Sequence, residues 1–492
     1  MAASQVRLIS MTFHNLAGLL RRRIDPTAVG VVVAVSVIVC TTLLTAPEGG
    51  TAAAASSHSS TPSLMGVRDP ASFTATPGIS DPKCNGGRGV QFAAPWLVDG
   101  APSIATATLD NGSTVVAISS GFPPRPLVIV HAFDTDCTPD PSFGRDGVET
   151  IAFPTFPHSE PHAITAINAI SPARGGGFIL VGQTWDGWLV GRLEQNGRLD
   201  PRFGHDGWSV LPWRGQATAV LQVPSGQIIV AGEEGGGCCV KAWVSALTSR
   251  GALDSHFGVH GRVQIPSGED SGVGPLALEP NGDILVLSGA GNMGCWGDLV
   301  ASLTPDGSLV PGFLANFDSS WRSELYPQGV STSDLVLRGA GFALIGTRQQ
   351  KCVSDVADPT ASGHMAVFDP NGQLDTTFAT GGVASFSSLM EGEVWAFSEA
   401  GGGALMVALQ APFQVNSPAS PIALDLVALS PDGSLDTGYG DGGRAQVKLK
   451  PLLNNNSGSY PPVDVVAGVG DSIVIVAGTA NAKGLQLIRL RS

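Results

Sequence analysis

A phrase of the form Gly-x-Leu-Asp-x-x-Phe-Gly-x-x-Gly returns about every sixty residues along this chain. It is cleanest from Gly197 to Gly207 and returns at Gly251–Gly261, at Gly372–Gly382 with Ala379 for the second Gly, and at Gly433–Gly443 with Tyr439 for the Phe. Three worn copies keep part of it. One holds Asp140, Phe143, Gly144 and Gly147; a second has Val310 in the Asp place; the third opens Asp81-Pro82 and has Cys84 in the Phe place. The Asp-position residues are therefore 81, 140, 200, 254, 310, 375 and 436. A period this long marks one supersecondary unit copied in tandem.

Between successive phrases lie two apolar runs joined by a short Gly, Asn or Asp turn, the signature of a β-hairpin. The first pair is Ala105–Leu109 with Thr114–Ser119, and the last is Val463–Val466 with Ser472–Gly478. A further short run flanks each hairpin, as Val148–Phe153 and Trp188–Leu193 flank that of the second unit. Helical spacing is absent from the repeat region. The expected architecture is all-β: a seven-bladed β-propeller of four-stranded blades over residues 79–492, with an N-terminal transmembrane or signal helix. Gly443–Arg491 is expected to supply the last blade and Gly89–Phe133 the first.

Asp140, Asp200, Asp254, Asp375 and Asp436 are expected to cap the phrase turns through their carboxylates. Phe143, Phe203, Phe257, Phe378 and Tyr439 are expected to anchor the grooves between blades. The phrase, its period and its hairpins resemble the delta-60 repeat family of bacterial β-propeller-like proteins, over about Ile79 to Arg491. That resemblance implies the fold and no particular reaction or catalytic set.

Charge narrows the partners. Charged residues make up only 14% of the chain, and the net charge is −14. Without the first 46 residues, 23 basic and 40 acidic residues remain, a net −17. That excludes nucleic acid and anionic membrane surfaces as natural ligands, since both select basic patches. Neutral and cationic partners remain.

Arg21-Arg22-Arg23 is followed by Ala28–Ala46, nineteen uncharged residues rich in Val and Ile. The segment is long enough to span a bilayer, and the preceding arginines orient the rest of the chain outward. The expected organisation is a basic cytoplasmic leader (1–27), a transmembrane helix or signal-peptide core (28–46), an Ala/Ser/Thr/Pro/Gly stalk (47–78) and the propeller. Small residues at Thr51–Ala55 leave cleavage and anchoring both open. The expected location is extracellular, either membrane-anchored or secreted.

Beyond Cys40 there are six cysteines, Cys84, Cys137, Cys238, Cys239, Cys295 and Cys352, an even number that suggests disulfides in an exported chain. Cys84 replaces a phrase Phe and Cys137 replaces the leading Gly of the next phrase, so these two are expected to pair. The other four are expected to bridge among units three to five. Cofactors and structural metals are not expected.

Candidate chemistry is sparse. His158 and His162, with Glu160 between, and His256 and His260 fall on loops rather than on a zinc-binding helix. His364 reads as a packing or surface residue. Asp134, Asp136 and Asp140 alternate like calcium ligands but lack the Gly and Glu of an EF-hand loop. Trp185, Trp188, Trp208, Trp213, Trp243 and Trp296 cluster in units two to four, where they either pack between blades or form a glycan- or peptide-stacking surface. The favoured reading is a monomeric binding or interaction scaffold for a protein or glycan ligand. The alternative is an exported hydrolase or lyase acting on carbohydrate in the central channel.

Overall fold

The computed structural model describes residues 73–75, 80–93, 103–120, 127–154, 166–184, 186–235, 240–267, 271–292, 295–314, 316–317, 330–348, 362–386, 393–400, 403–410, 422–449, 463–467, 472–478 and 484–491. All lie in the compact unit Pro62–Ser492. They are almost entirely antiparallel strands in a β-propeller arrangement. Strand β1 is Phe73–Ala75 and β2 is Val90–Ala93. Blade one is β3 (Ser103–Thr108), β4 (Thr114–Ser120), β5 (Leu127–Phe133) and β6 (Val148–Ala152). Blade two is β7 (Ala166–Pro172), β8 (Phe178–Thr184), β9 (Gly187–Leu193) and β10 (Trp208–Leu211). Blade three is β11 (Gly215–Gln222), β12 (Ile228–Glu234), β13 (Lys241–Leu247) and β14 (Arg262–Gln264). Blade four has three strands, β15 (Ser271–Leu278), β16 (Ile284–Asn292) and β17 (Cys295–Leu303). Blade five is β18 (Val330–Arg338), β19 (Gly341–Arg348), β20 (Ser362–Phe368) and β21 (Val383–Phe386). Blade six is β22 (Glu393–Ala400), β23 (Gly403–Gln410), β24 (Ile422–Leu429) and β25 (Arg444–Leu449), with β1 added as a fifth strand. The closing sheet joins β26 (Val463–Ala467), β27 (Ser472–Gly478) and β28 (Gly484–Arg491) to β2 from the other end of the domain.

The expectation of seven four-stranded blades, each read from one repeat, is corrected by this topology. Six blades, not seven, are cut from a continuous stretch of chain, and they are not all four-stranded. The closing sheet is a composite, so Gly443–Arg491 does not make a blade alone and Gly89–Phe133 does not make the first. The strand after the phrase in blades one, two, three, five and six also pairs backwards, as β6 does with β5, and so completes the preceding hairpin. The N-terminal span 28–46 lies outside the described residues; among the described ones no helix is long and apolar enough to cross a membrane.

The first strands of neighbouring blades face one another around the centre, and the apolar clusters lie between blades rather than within them. One such cluster joins Val130 and Phe143 of blade one to Phe178 and Leu180 of blade two. The phrase supplies the repeated link. Each phrase ring lies against the leading glycine of the next phrase: a Cβ on Gly197 would stand 2.5 Å from the Phe143 ring, on Gly251 2.9 Å from Phe203, on Gly307 2.9 Å from Phe257, and on Gly433 2.7 Å from Phe378. No side chain fits there. A backbone bond runs beside each contact, from Gly144 N–H to Asn196 O, Gly204 to Arg250, Gly258 to Asp306 and Ala379 to Asp432, at 2.7–2.9 Å.

At the start of the ring a covalent bond takes the same place. Cys84, in the Phe position, is disulfide-bonded to Cys137, in the leading-Gly position, with Cα atoms 4.9 Å apart. Asn85 N–H donates to Asp136 O beside it at 3.2 Å, the counterpart of the Gly144–Asn196 bond. Cys137 keeps the left-handed backbone of the glycine it replaces, at φ 64°.

Two stability predictions follow from this link. Phe203→Ala should cost about 3–5 kcal/mol, the range for a buried ring, whereas His205→Ala, fully exposed in the same phrase, should change stability by under about 0.5 kcal/mol. Equal shifts in denaturant midpoint would remove the phrase from the scaffold. The Cys84→Ala/Cys137→Ala protein should lose about 2–5 kcal/mol. Cys84→Phe/Cys137→Gly should recover part of that loss by rebuilding the ring-on-glycine contact, and no recovery would show that the two links are not equivalent.

Candidate functional site

Chain direction separates the two ends of the blades. The phrases and the hairpin turns from each first strand to its second lie at one end. The connections from second to third strand, and from each fourth strand into the next blade, lie at the other. At the phrase end the carboxylates are consumed by their own turns. Asp81 Oδ1 accepts from Lys83 N–H, Asp140 from Ser142, Asp200 from Arg202, Asp254 from His256, Asp375 from Thr377 and Asp436 from Gly438, at 2.8–3.1 Å. Burial pushes the Asp200 carboxyl up, but the backbone and side chain of Arg202, with Arg192 behind, carry it below the ordinary carboxylate range. Asp254 is likewise raised by burial and then lowered further by His256 and Gln227. Phe143, Phe203, Phe257, Phe378 and Tyr439 are all buried, as anchors must be.

The opposite end of the groove between blades two and three is built differently. The first strands of blades two to six each carry a one-residue bulge against their neighbour; in β7 and β11 the extra residues are Asn168 and Thr218. A bulge re-aims side chains and bends the strand. Asn168 Nδ2 thereby crosses to blade three, donating to Ala217 O at 2.9 Å and lying 3.4 Å from Gln216 Oε1. Thr218 makes the same crossing to Val273 O of blade four, at 2.9 Å. Gln216 Nε2 in turn donates to Glu233 Oε2 at 3.2 Å. The other Glu233 oxygen has no donor among the described residues, and Gly272 leaves it room: a Cβ there would stand 3.3 Å away.

An aromatic and ionic cluster adjoins this polar chain. Trp188 Nε1 donates to Glu233 O at 2.9 Å and its ring meets Trp213 edge-on, centroids 5.3 Å apart. The Arg262 guanidinium lies 4.1 Å over the Trp243 ring and 5.1 Å from Trp213, with Nη1 2.6 Å from Glu234 Oε2. Trp188 and Trp213 are buried and Trp243 is half-buried. The arginine fills the space between two indoles and its charge is met by Glu234. The two groups lie on opposite faces of the blade-three sheet: Glu233 reaches toward Gly272 of blade four, while Trp243, Arg262 and Glu234 face blade two.

Of the two readings left open for the tryptophans, packing between blades is the one seen for most of those described. Trp188, Trp208 and Trp213 pack between blades, and only Trp243 reaches the surface among those described. Trp185 and the side chain of Trp296 lie outside the described residues. So do His158, Glu160, His162, Cys238, Cys239, Cys352 and the side chain of Cys295. His256 and His260 are exposed, and His364 is buried in β20. Asp136 accepts from Thr138 N–H and Oγ1, which is a turn cap, and these bonds hold its carboxyl low. Burial, then Asp140 and Asp136, push the neighbouring Asp134 up. Among the described residues no three His, Cys, Asp or Glu side chains converge on a metal position. Asn168, Gln216, Glu233, Glu234 and Arg262 carried no motif; the pair Glu233-Glu234 before Gly235-Gly236-Gly237 was the one local signal.

A further carboxylate stands apart from this groove. The hairpin turns of blades one to four share one geometry: Leu109, Ala173, Val223 and Glu279 each donate N–H to the carbonyl four residues on, at 2.8–3.0 Å. Three of the four are apolar, and Glu279 takes the same slot at 3% exposure with Oε1 unpaired. Burial, with Asp283 adding to it, pushes its carboxyl up to about 7. The folded value exceeds the unfolded one, so the folded state keeps its proton longer. Stability should fall as pH rises from about 4.5 to about 7 and then level off, by on the order of 3 kcal/mol at most. Urea melts of Glu279→Gln should lose that segment of the pH dependence, and an unchanged pH profile would show that Glu279 is not its source.

No protein-family description matches the chain, and no curated protein matches it. Solved structures do align with it. The polysaccharide lyase Uly1 aligns at 10% identity over 80% of this chain and 90% of its own, with a TM-score of 0.44. Prolyl oligopeptidase B from Galerina marginata aligns at 10% identity over 80% of this chain and 52% of its own, TM-score 0.41. Drosophila Semaphorin 1a, extracellular domains 1-2, aligns at 7% identity over 80% and 87%, TM-score 0.40.

Proposed function

We propose that this protein is an exported β-propeller of the delta-60 repeat type that serves as a binding scaffold, taking its ligand at the blade ends opposite the phrases. The observation that carries the reading is the end of blade three opposite the phrases, where Asn168, Gln216 and Glu233 form a polar chain that reaches toward Gly272 of blade four, with a half-buried Trp243 on the other face of the sheet. At the phrase end the equivalent carboxylates are spent on backbone N–H groups, which suits scaffold rather than recognition. A rigid framework with variable connections at one end is the common layout for binding. The Cys84–Cys137 bond supports export, since such bonds persist in oxidising compartments. The chain then stands outside the cell, anchored by its N-terminal segment or released from it, as a monomer.

The test is a pair of measurements on the exported full-length protein. Alkylation before and after reduction should find Cys84 and Cys137 protected until reduction; two free thiols in protein taken from the cell surface or medium would remove the support for export. Incubation with carbohydrate polymers should give retention without product. New reducing ends or unsaturated products at catalytic turnover would favour the hydrolase or lyase reading.

A further inference from the structure

We propose that the seam between the closing sheet and blade one is a redox latch, which opens ahead of the rest of the ring once a dithiol reduces Cys84–Cys137. The filling of the seam sets it apart. Val116, Ile118 and Phe133 of blade one meet Phe92, Val474 and Leu487 of the closing sheet there, and both cysteines lie in the same cluster. Thr106 is paired with Val116 and Thr108 with Thr114 across the first hairpin, so all three threonines share that face. In blades two to five the Thr106 position holds Ile170, Val220, Leu276 and Leu335, and the Thr114 position holds Phe178, Ile228, Ile284 and Phe342. Those residues belong to, or pack against, the apolar clusters of the other junctions. At the closing seam the same slots are polar, and Thr106 Oγ1 and Thr108 Oγ1 are buried with no partner among the described residues. A buried hydroxyl without a partner loses its hydration and gains nothing in return.

The other side of the seam adds a buried charge. Arg489 of β28 donates to Gly112 O, Thr114 Oγ1 and Thr135 O of blade one, and its Nε has no partner among the described residues. Arg192 is its counterpart in blade two, since Asp200 N–H donates to Arg192 O as Asp81 N–H does to Arg489 O. Arg192 has the Asp200 carboxylate 3.6 Å away. Arg489 bonds to neutral oxygens instead. Burial lowers its pKa, and the charges of Asp81 and Asp136 only partly oppose that. Idle hydroxyls and a buried guanidinium leave this seam weaker than its apolar neighbours, and Cys84–Cys137 offsets the difference. Otherwise only the chain from β2 to β3 joins the closing sheet covalently to blade one.

Reduction removes the extra tie. One thiolate of the dithiol attacks a cysteine sulfur and displaces the other as a thiolate, and the second thiol then breaks the mixed disulfide. Two electrons pass to the protein, both cysteine sulfurs take up protons, and the dithiol leaves as its own disulfide. Both cysteines are buried in the closed ring. Attack therefore waits on opening of the seam, and the rate of reduction reports that opening.

The experiment treats the oxidised full-length protein with dithiothreitol under native conditions. Alkylation and peptide mass spectrometry time the release of Cys84 and Cys137, and amide hydrogen exchange is compared before and after. On reduction, exchange should rise by about tenfold or more in β2, β3 and β26–β28 while β8, β12 and β16 keep their protection, the pattern of one unit opening locally. Thr106→Val/Thr108→Val removes both hydroxyls at nearly constant volume and should slow reduction of the intact bond by about tenfold or more. His205→Ala, in a distant phrase, should leave the rate unchanged. Should the valine variant not fold, the exchange pattern of reduced wild type decides alone. Faster exchange in every blade after reduction would show a ring with no weaker seam and overturn the proposal. So would unchanged exchange at the seam of the reduced protein, equal rates of reduction in wild type and the valine variant, or cysteines that stay oxidised until the whole domain unfolds.

Discussion

The contact on which the arrangement depends is a ring lying on a glycine. Each phrase sends its aromatic side chain out of its own blade and onto the leading glycine of the next phrase, and a backbone hydrogen bond accompanies it. The contact is short-range and recurs with its backbone bond at four junctions, while at a fifth Phe313 meets Gly372 and Asn316 Nδ2 donates to Asn371 O instead. This explains why the leading glycine recurs so regularly. Its backbone lies at φ near +85° and its missing Cβ is occupied by a ring, so any other residue meets both a backbone and a steric cost. The one described substitution at that position, Cys137, meets both constraints by bonding to the residue that replaces the ring.

The bulges do the complementary work near the centre. They turn Asn168 and Thr218 out of the pleat and toward the carbonyl of the following blade, so adjacent first strands are joined by side chains where no backbone ladder connects them. Glycines stand opposite two of these bulges for a steric reason: a Cβ on Gly182 would meet Ala166 O at 1.8 Å, and on Gly232 would meet Gln216 O at 2.3 Å. The polar groove is a by-product of the same geometry. Once Asn168 reaches Ala217, Gln216 is brought between an amide and a carboxylate.

Much of the scaffold was legible in the sequence because its determinants are local. The phrase, its aspartate caps and its buried rings can be read from eleven consecutive residues, and the Cys84–Cys137 bond followed from two substitutions at matching phrase positions. Assignment of strands to blades was less legible. Val148–Phe153 is apolar whether it ends one blade or opens the next, and only its pairing with β5 decides. Composite closure was hidden for a similar reason, since nothing in Val90–Ala93 announces that its partner strand lies at the far end of the domain, with Val90 opposite Leu487. The groove was the least legible. Asn168, Gln216 and Glu233 sit on three strands of two blades, and their convergence depends on a bulge that adds one unremarkable residue. The tryptophans were visible, yet burial of Trp188 and Trp213 depends on which face of a strand they occupy.

The composite closing sheet also has a mechanical consequence. Among the described residues, tension entering from the N-terminal side first meets β1, three residues paired to the edge of blade six, and then the bridge from Ser80 to Leu490. Both can unzip one bond at a time. Next it reaches Cys84, whose covalent bond carries the load sideways into Cys137 of blade one. Strand β2 comes after that point, and so does the sheet it completes. Arg489, donating from β28 to Gly112 O and Thr114 of blade one, ties the same sheets together on the far side of the junction. A chain pulled from its N-terminal side can therefore lose β1 while β2 and the closing sheet it completes stay shielded from the force.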